Sequence, residues 1–258
     1  MLDNPDVPEF ASWRSYHNFS VKVRHSNRYV WPTEVQKFID TVLATIKNRD
    51  AIVSSSHHFY RAQNGIEFDE EQGDVGYGPA RMKPIRQFAQ EGRANPSGIL
   101  VLYLATNIKT AISEVRPWIG EYISVALFKI VRELKLLNLS EGFGQTSWGH
   151  LSFDHLASKN EPEPKIRERC VWIDIDNAFS HPINLNDSQL DYIPTQILAE
   201  LFRSKGYDGI VYRSNFGEEG YNLALFNLND AEPVSCTPYK VTKMEIGFKS
   251  TGNAWFKA

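Results

Sequence analysis

The chain has 258 residues, of which 42% are hydrophobic, 12% aromatic and 23% charged, and its formal net charge is −3. That balance excludes a disordered or low-complexity chain and argues against a dedicated nucleic-acid binder, which carries a basic surplus. The length corresponds to between one and two domains of about 150 residues, enough to bury a substantial core.

The chain opens with MLDNPDVPEF, acidic and Pro-containing, unlike a secretory signal. No run approaches the ~18 apolar residues of a membrane helix. Two cysteines, Cys170 and Cys236, are too few for a disulfide framework and point to a reducing compartment. The expected location is therefore cytoplasmic. The first 30 residues are polar and aromatic without clear periodicity. Val35, Phe38, Ile39, Val42, Leu43 and Ile46 then follow i, i+3, i+4, i+7 spacing and predict an amphipathic helix. Pro32 precedes it, and Thr33 with Gln36 makes a capping-box pattern. That helix is either an N-terminal unit docked on the rest or simply the first element.

From about residue 58 short β-rich runs dominate. Residues 98–105, 122–130, 171–176, 209–214 and 222–227 read as strands. Helices are predicted over 107–116, where Ile108, Ala111, Ile112 and Val115 share a face, and over 194–205. Pro194 opens the second of these and Gly206 closes it. Strands outnumber helices and no βαβ alternation is present, so the expected fold is α+β with a mainly antiparallel or mixed sheet and flanking helices. Two long polar connections, 63–91 and 141–168, stand out, because loops of that length in a compact domain are commonly functional.

Four local features carry possible chemistry. His57-His58-Phe59-Tyr60-Arg61 ends a short aromatic run with an arginine that either grips phosphate or sits on the surface at a strand end. Gly92-Arg93-Ala94-Asn95-Pro96-Ser97-Gly98 is a tight turn that projects Arg93 and Asn95, and it lacks the ending of a P-loop. Glu114 lies at the edge of the apolar stripe of its helix, where a carboxylate reaches either a cleft or solvent. Ser214 ends the run Gly-Tyr-Asp-Gly-Ile-Val-Tyr-Arg-Ser, without the elbow of a hydrolase nucleophile, and Tyr221-Asn222 follow. No metal site is expected, since His150 and His155 are not at ligand spacing and His57-His58 point to opposite faces of a strand. The cations Arg81, Lys83, Arg86 and Arg93 read as a solvated face or a local anion site.

In this order the four motifs, spanning about residues 58–230, resemble the RES-domain family, named for an arginine, a glutamate and a serine that match Arg61, Glu114 and Ser214. The resemblance implies an ADP-ribosyltransferase-like fold for a RES domain over 56–230; outside the match lie 1–55, read as an N-terminal helical extension, and 231–258, a C-terminal tail packed on or extending the domain. It also implies an NAD⁺-degrading toxin that splits the nicotinamide–ribose bond by hydrolysis or phosphorolysis and is neutralised by an Xre-like antitoxin. NAD⁺ is then the substrate, inorganic phosphate an alternative co-substrate to water, and a homodimer a further assembly to consider. Some members instead modify a protein, and a catalytically silent nucleotide-binding module is the third reading. Under the resemblance Glu114 stabilises the ribosyl cation, Arg61 pairs with the pyrophosphate or an adjacent ribose oxygen, Arg93 is a second candidate for the same anion, and Ser214 positions nicotinamide or its ribose. Tyr60, Asn95, Tyr103 and Asn222 line the site. Ala94 departs from the bulky residue that many members carry there. Ile112 stands two positions before Glu114, where transferases acting on side chains commonly have a polar group, and this favours water or phosphate as acceptor.

Overall fold

The computed structural model describes residues 8–88, 91–157, 160–181, 189–216, 220–245, 247–248, 250 and 252. The chain begins with two helices, α1 (Ser15–His25) and α2 (Thr33–Thr45), and passes through a 3₁₀ turn into β1 (Asp50–Val53) and β2 (His58–Asn64). A small hairpin of β3 (Glu67–Asp69) and β4 (Gly73–Val75) and a single turn α3 (Pro79–Met82) follow. Then come β5 (Leu102–Ala105), α4 (Ile108–Glu114), β6 (Tyr122–Ile130), β7 (Leu134–Leu139) and α5 (Phe153–Ala157). The last elements are α6 (Pro164–Ser180), α7 (Ile193–Ser204), β8 (Gly209–Arg213), β9 (Tyr221–Leu225) and β10 (Ala231–Lys240).

Eight strands form one sheet in the order β1-β7-β8-β9-β5-β2-β6-β10. Only β7 and β8 run parallel; the other neighbours are antiparallel. The α+β class with a mixed sheet is thus the observed one. β7 shows why the sheet has two dry faces. Leu137 and Leu139 join the apolar cluster that contains α2, α6 and α7, whereas Leu134 and Leu136 join a second cluster with Phe128, Leu102 and Met82. Side chains alternate along a strand, so one strand feeds two cores. Phe19 and Val23 of α1 and Val35, Phe38, Ile39 and Val42 of α2 belong to the first cluster, together with Phe179 and Ile210. Among the described residues no helix is long and apolar enough to cross a membrane.

Several sequence expectations change here. Residues 171–176 are not a strand; they lie in α6. Val171, Ile173 and Ile175 alternate like a strand, but Cys170, Val171, Trp172, Ile173, Ile175 and Phe179 are all buried, so nearly the whole circumference of this stretch is covered. A helix buried all round loses the polar stripe that identifies it in sequence. Strand 98–105 is shorter than predicted, since a turn at Gly98 (φ +83°) precedes Leu102. The capping box at Thr33 does not form. Pro32 is the N-cap, its carbonyl accepts from the Val35 and Gln36 amides, and Gln36 Nε2 donates to Asp40 instead. The helices over 107–116 and 194–205 are present as α4 and α7, and Gly206 (φ +83°) follows the α7 C-cap. Helix α1 and strands β7 and β10 were not anticipated. The long connections contain the β3–β4 hairpin and α3 in one case, and α5 and the start of α6 in the other.

Candidate active site

The central strands β9, β5 and β2 sit side by side, and α4 packs against β2, β5 and β6. A cavity of about 250 Å³ opens here, lined by Tyr60 and Arg61 from β2, Tyr103 from β5, Glu114 from α4, Tyr212 from β8 and Asn222 from β9. Arg93 from the 92–95 turn and Tyr192 complete the polar lining. Residues far apart in sequence converge because each strand contributes at neighbouring register: Tyr60 pairs with Ala105, Ala105 with Asn222, and Asn222 with Tyr212.

Helix α4 is started by Asn107, whose Oδ1 accepts from the Thr110 amide at 2.8 Å. It ends at Glu114, so the carboxylate leaves the helix at its last residue. Ser214 Oγ donates to Glu114 Oε1 at 2.8 Å and Asn222 Nδ2 donates to the same oxygen at 2.6 Å. Both donors are buried, at 3% and 4% exposure. The second carboxylate oxygen, Oε2, accepts no hydrogen bond from the described residues. Ser214 Oγ also accepts from the Phe216 amide at 3.1 Å, and its own amide donates to the Gly220 carbonyl at 2.9 Å. Two residues after Glu114, Arg116 adopts φ +46°, a left-handed conformation that costs about 1–2 kcal/mol for a residue with a Cβ. Its guanidinium lies 5.1 Å from the Phe216 ring centre, which ties the end of α4 to the loop carrying Ser214.

Arg61 occupies the middle of β2 and not a strand end, between β5 and β6. Its Nη1 donates to the Tyr103 carbonyl at 3.0 Å, while Nε is shielded from solvent without a partner. Burial lowers its pKa to about 10, which leaves it cationic at neutral pH. Arg93 Nη2 donates to the His181 carbonyl at 2.8 Å, and its Nε is likewise buried without a partner. Neither guanidinium forms an ion pair with a carboxylate of the described residues. A buried N–H without an acceptor is costly, and two of them belong to arginines in this cavity wall. Burial pushes the Tyr212 hydroxyl up to about 12, with Arg93 opposing and Glu114 reinforcing, so it stays protonated.

Of the eight residues singled out in the sequence, Arg61, Glu114, Tyr60, Arg93, Tyr103 and Asn222 line this cavity, and Ser214 stands behind it as a donor to Glu114. Asn95 is set apart. It is 3% exposed, its amide donates to the Pro96 and Ile99 carbonyls, and its Oδ1 accepts from Tyr103 Oη at 2.7 Å. It fixes the turn that presents Arg93 and lines the neighbouring cavity beside Arg61 and Tyr103. Gly92 is required beside it, since a Cβ there would lie 2.6 Å from Tyr103 Oη.

Three contributors were missed. Tyr212 lies inside the motif that ends at Ser214, but nothing marked its ring as facing the cavity. Tyr192 gave no signal. Gln196 on α7 donates from Nε2 to the Gly92 and Asn95 carbonyls, both at 3.0 Å, and clamps the turn. A glutamine on an otherwise apolar helix face was the available hint.

No curated protein matches the chain by sequence search. A solved structure, the M. tuberculosis MbcT–MbcA toxin–antitoxin complex, is similar at 13% identity, covering 76% of this chain and 90% of that one with a TM-score of 0.38. A family model described as the RES domain matches residues 58–245, a span that includes Arg61, Glu114 and Ser214 and every strand from β2 to β10, and the chain belongs to that family.

Proposed function

We propose that the chain is a toxin-type enzyme that cleaves the nicotinamide–ribose bond of NAD⁺ and is held in check by an Xre-like antitoxin. The observation that carries this is the charge arrangement of the cavity. Glu114 has one oxygen held by two neutral donors and the other open, and two guanidiniums in the same wall lack a carboxylate. A dinucleotide supplies what each lacks: ribose hydroxyls for the carboxylate, and a doubly charged pyrophosphate for the arginines.

Breaking the bond develops positive charge at the anomeric carbon while the bonding electron pair leaves with neutral nicotinamide. The Glu114 carboxylate beside that ribose accepts from its hydroxyls and stabilises the cation. Ser214 and Asn222 fix the rotamer of the carboxylate and, being uncharged, leave its negative charge in place. Arg61 and Arg93 hold the pyrophosphate, and the tyrosines supply flat walls for the nicotinamide ring. Water, or inorganic phosphate in its place, attacks the anomeric carbon from the open side and gives up a proton to solvent. Ile112, two residues before Glu114, offers no polar group to steer a protein side chain, which favours a small acceptor over protein modification.

The test is incubation of the purified protein with NAD⁺, with and without phosphate, following nicotinamide and the ribosyl product. ADP-ribose irrespective of phosphate identifies hydrolysis; a phosphate-dependent ADP-ribose 1″-phosphate identifies phosphorolysis. Nicotinamide released equally fast by Glu114→Gln overturns the mechanism. Saturable binding without release assigns a silent binding module.

A further inference from the structure

The cation cluster noted in the sequence is divided by the fold. Arg93 goes to the Glu114 cavity and Arg86 is exposed, while Arg81 and Lys83 line a second, larger cavity of about 990 Å³. Arg61 and Tyr103 line both, so the two cavities meet at the arginine assigned to the pyrophosphate. The smaller one is below the usual size of a site for a whole drug-sized ligand, about 300–1,000 Å³, and the pair together exceeds it. A dinucleotide with its nicotinamide ribose at Glu114 and its pyrophosphate at Arg61 therefore extends its adenosine half into the outer cavity.

The charges of that outer cavity do not suit an uncharged adenosine. Arg61 and Arg93 already match the two charges of the pyrophosphate. Beyond them stand Arg81 and Lys83 against a single carboxylate, Glu91. Arg81 lies over the Tyr77 ring at 3.7 Å and forms a long, half-exposed ion pair with Glu67 at 3.8 Å. Lys83 is half-buried and forms no ion pair among the described residues. Ile85, Ile99 and Leu100 give the same cavity an apolar flank for a base. Cations at an adenosine ribose recognise a 2′-phosphate, whereas a lone carboxylate recognises the free 2′-hydroxyl. A phosphate ester brings about −1.5 to −2 charges, which two cations neutralise and one carboxylate only partly opposes.

We infer that the outer cavity is a phosphate subsite and that the preferred dinucleotide is 2′-phosphorylated, NADP⁺ over NAD⁺; this rests on the dinucleotide reading above. Two measurements test it on the full chain. In the first, calorimetry compares adenosine 2′,5′-bisphosphate with adenosine 5′-monophosphate. The expected result is about tenfold tighter binding of the bisphosphate, the size of one charge-assisted contact. Lys83→Gln shrinks that preference, and Glu91→Gln, which removes the opposing charge, enlarges it. In the second, nicotinamide release is followed from NAD⁺ and NADP⁺. The KM for NADP⁺ is expected to be lower, and Lys83→Gln to raise it at least about fivefold more than the KM for NAD⁺. Equal or weaker binding of the bisphosphate overturns the inference, as does a Lys83→Gln effect equal on both dinucleotides, which would place Lys83 at the shared pyrophosphate. A bisphosphate preference without turnover of either dinucleotide keeps the subsite and overturns the proposed reaction instead.

Discussion

Two places among the described residues set an arginine near a carboxylate, and they are built in opposite ways. At the junction of the 3₁₀ turn after α2 with β7 and α6, Arg49 and Asp176 are 8% and 0% exposed, and Arg49 Nη1 donates to both carboxylate oxygens at 2.8 and 3.0 Å. The Gly142 amide adds a third hydrogen bond to Asp176 at 2.7 Å, and the guanidinium lies 4.3 Å from the Trp172 ring centre. Every strong group there has its counterpart. In the Glu114 cavity the counterparts are withheld: the carboxylate is held by neutral Ser214 and Asn222, and Arg61 and Arg93 form no ion pair with a carboxylate of the described residues. A satisfied buried pair joins elements together. Separated, oriented charges in a cavity wait for a ligand, and the fold tolerates their incomplete hydrogen bonding because the surrounding strands fix them.

The sharpest way to break this contrast is to unpair the first site. Arg49→Met leaves Asp176 buried without its cation, and a loss of about 3–5 kcal/mol in unfolding free energy is expected from urea denaturation. The double variant Arg49→Met/Asp176→Leu is expected to regain most of it, because an apolar pair has no charge to desolvate. The same kind of surgery at Glu114 has the opposite profile. Glu114→Gln is expected to lower kcat for nicotinamide release about 10²–10³-fold, yet to change stability by less than about 1 kcal/mol. A stability loss as large as that of Arg49→Met would erase the distinction between the two sites.

Acid titration sharpens it further. Burial pushes the Asp176 carboxyl up to about 6 from an ordinary 3.8, against the pull of Arg49 and the Gly142 amide. A carboxyl whose pKa is higher folded than unfolded binds more protons in the folded state. This group's contribution therefore falls as pH rises from about 4 to 6, by about 3 kcal/mol at most. Relative to Asp176→Asn, the wild-type protein is expected to gain stability as pH is lowered from 7 to 4, measured as the difference between their denaturation curves. A difference that stays flat or reverses would mean that the pair stabilises the ionised carboxylate beyond its desolvation cost. The smallest effect belongs to Ser214→Ala. It removes one of two donors to Glu114 Oε1 and leaves Asn222, so about a tenfold loss in kcat/KM for nicotinamide release is expected.

The pieces of the site that were legible in the sequence are those with a local cause. Helix α4 was visible from Ile108, Ala111, Ile112 and Val115, and with it the position of Glu114 at the edge of the apolar stripe. Strand β6 was visible over its full length because Tyr122–Ile130 is apolar at every position but Ser124 and Lys129. Helix α6 was misread for the converse reason: its burial on nearly all sides removed the periodicity on which such readings depend.

What the sequence determined alone was therefore the class of fold, the family motifs and the identity of the charged residues. Propensity, spacing and turn chemistry act over a few residues and are written in the chain. Which charges would be paired was decided only by the tertiary structure. Arg49 meets Asp176 across 127 positions and Asn222 meets Glu114 across 108, through strand register and helix packing. The motif marks Arg61 in the sequence, but nothing local says that Arg49 is paired with a carboxylate and Arg61 is not. Tertiary packing decides their pairing, by setting Asp176 of α6 against Arg49 and a cavity against Arg61.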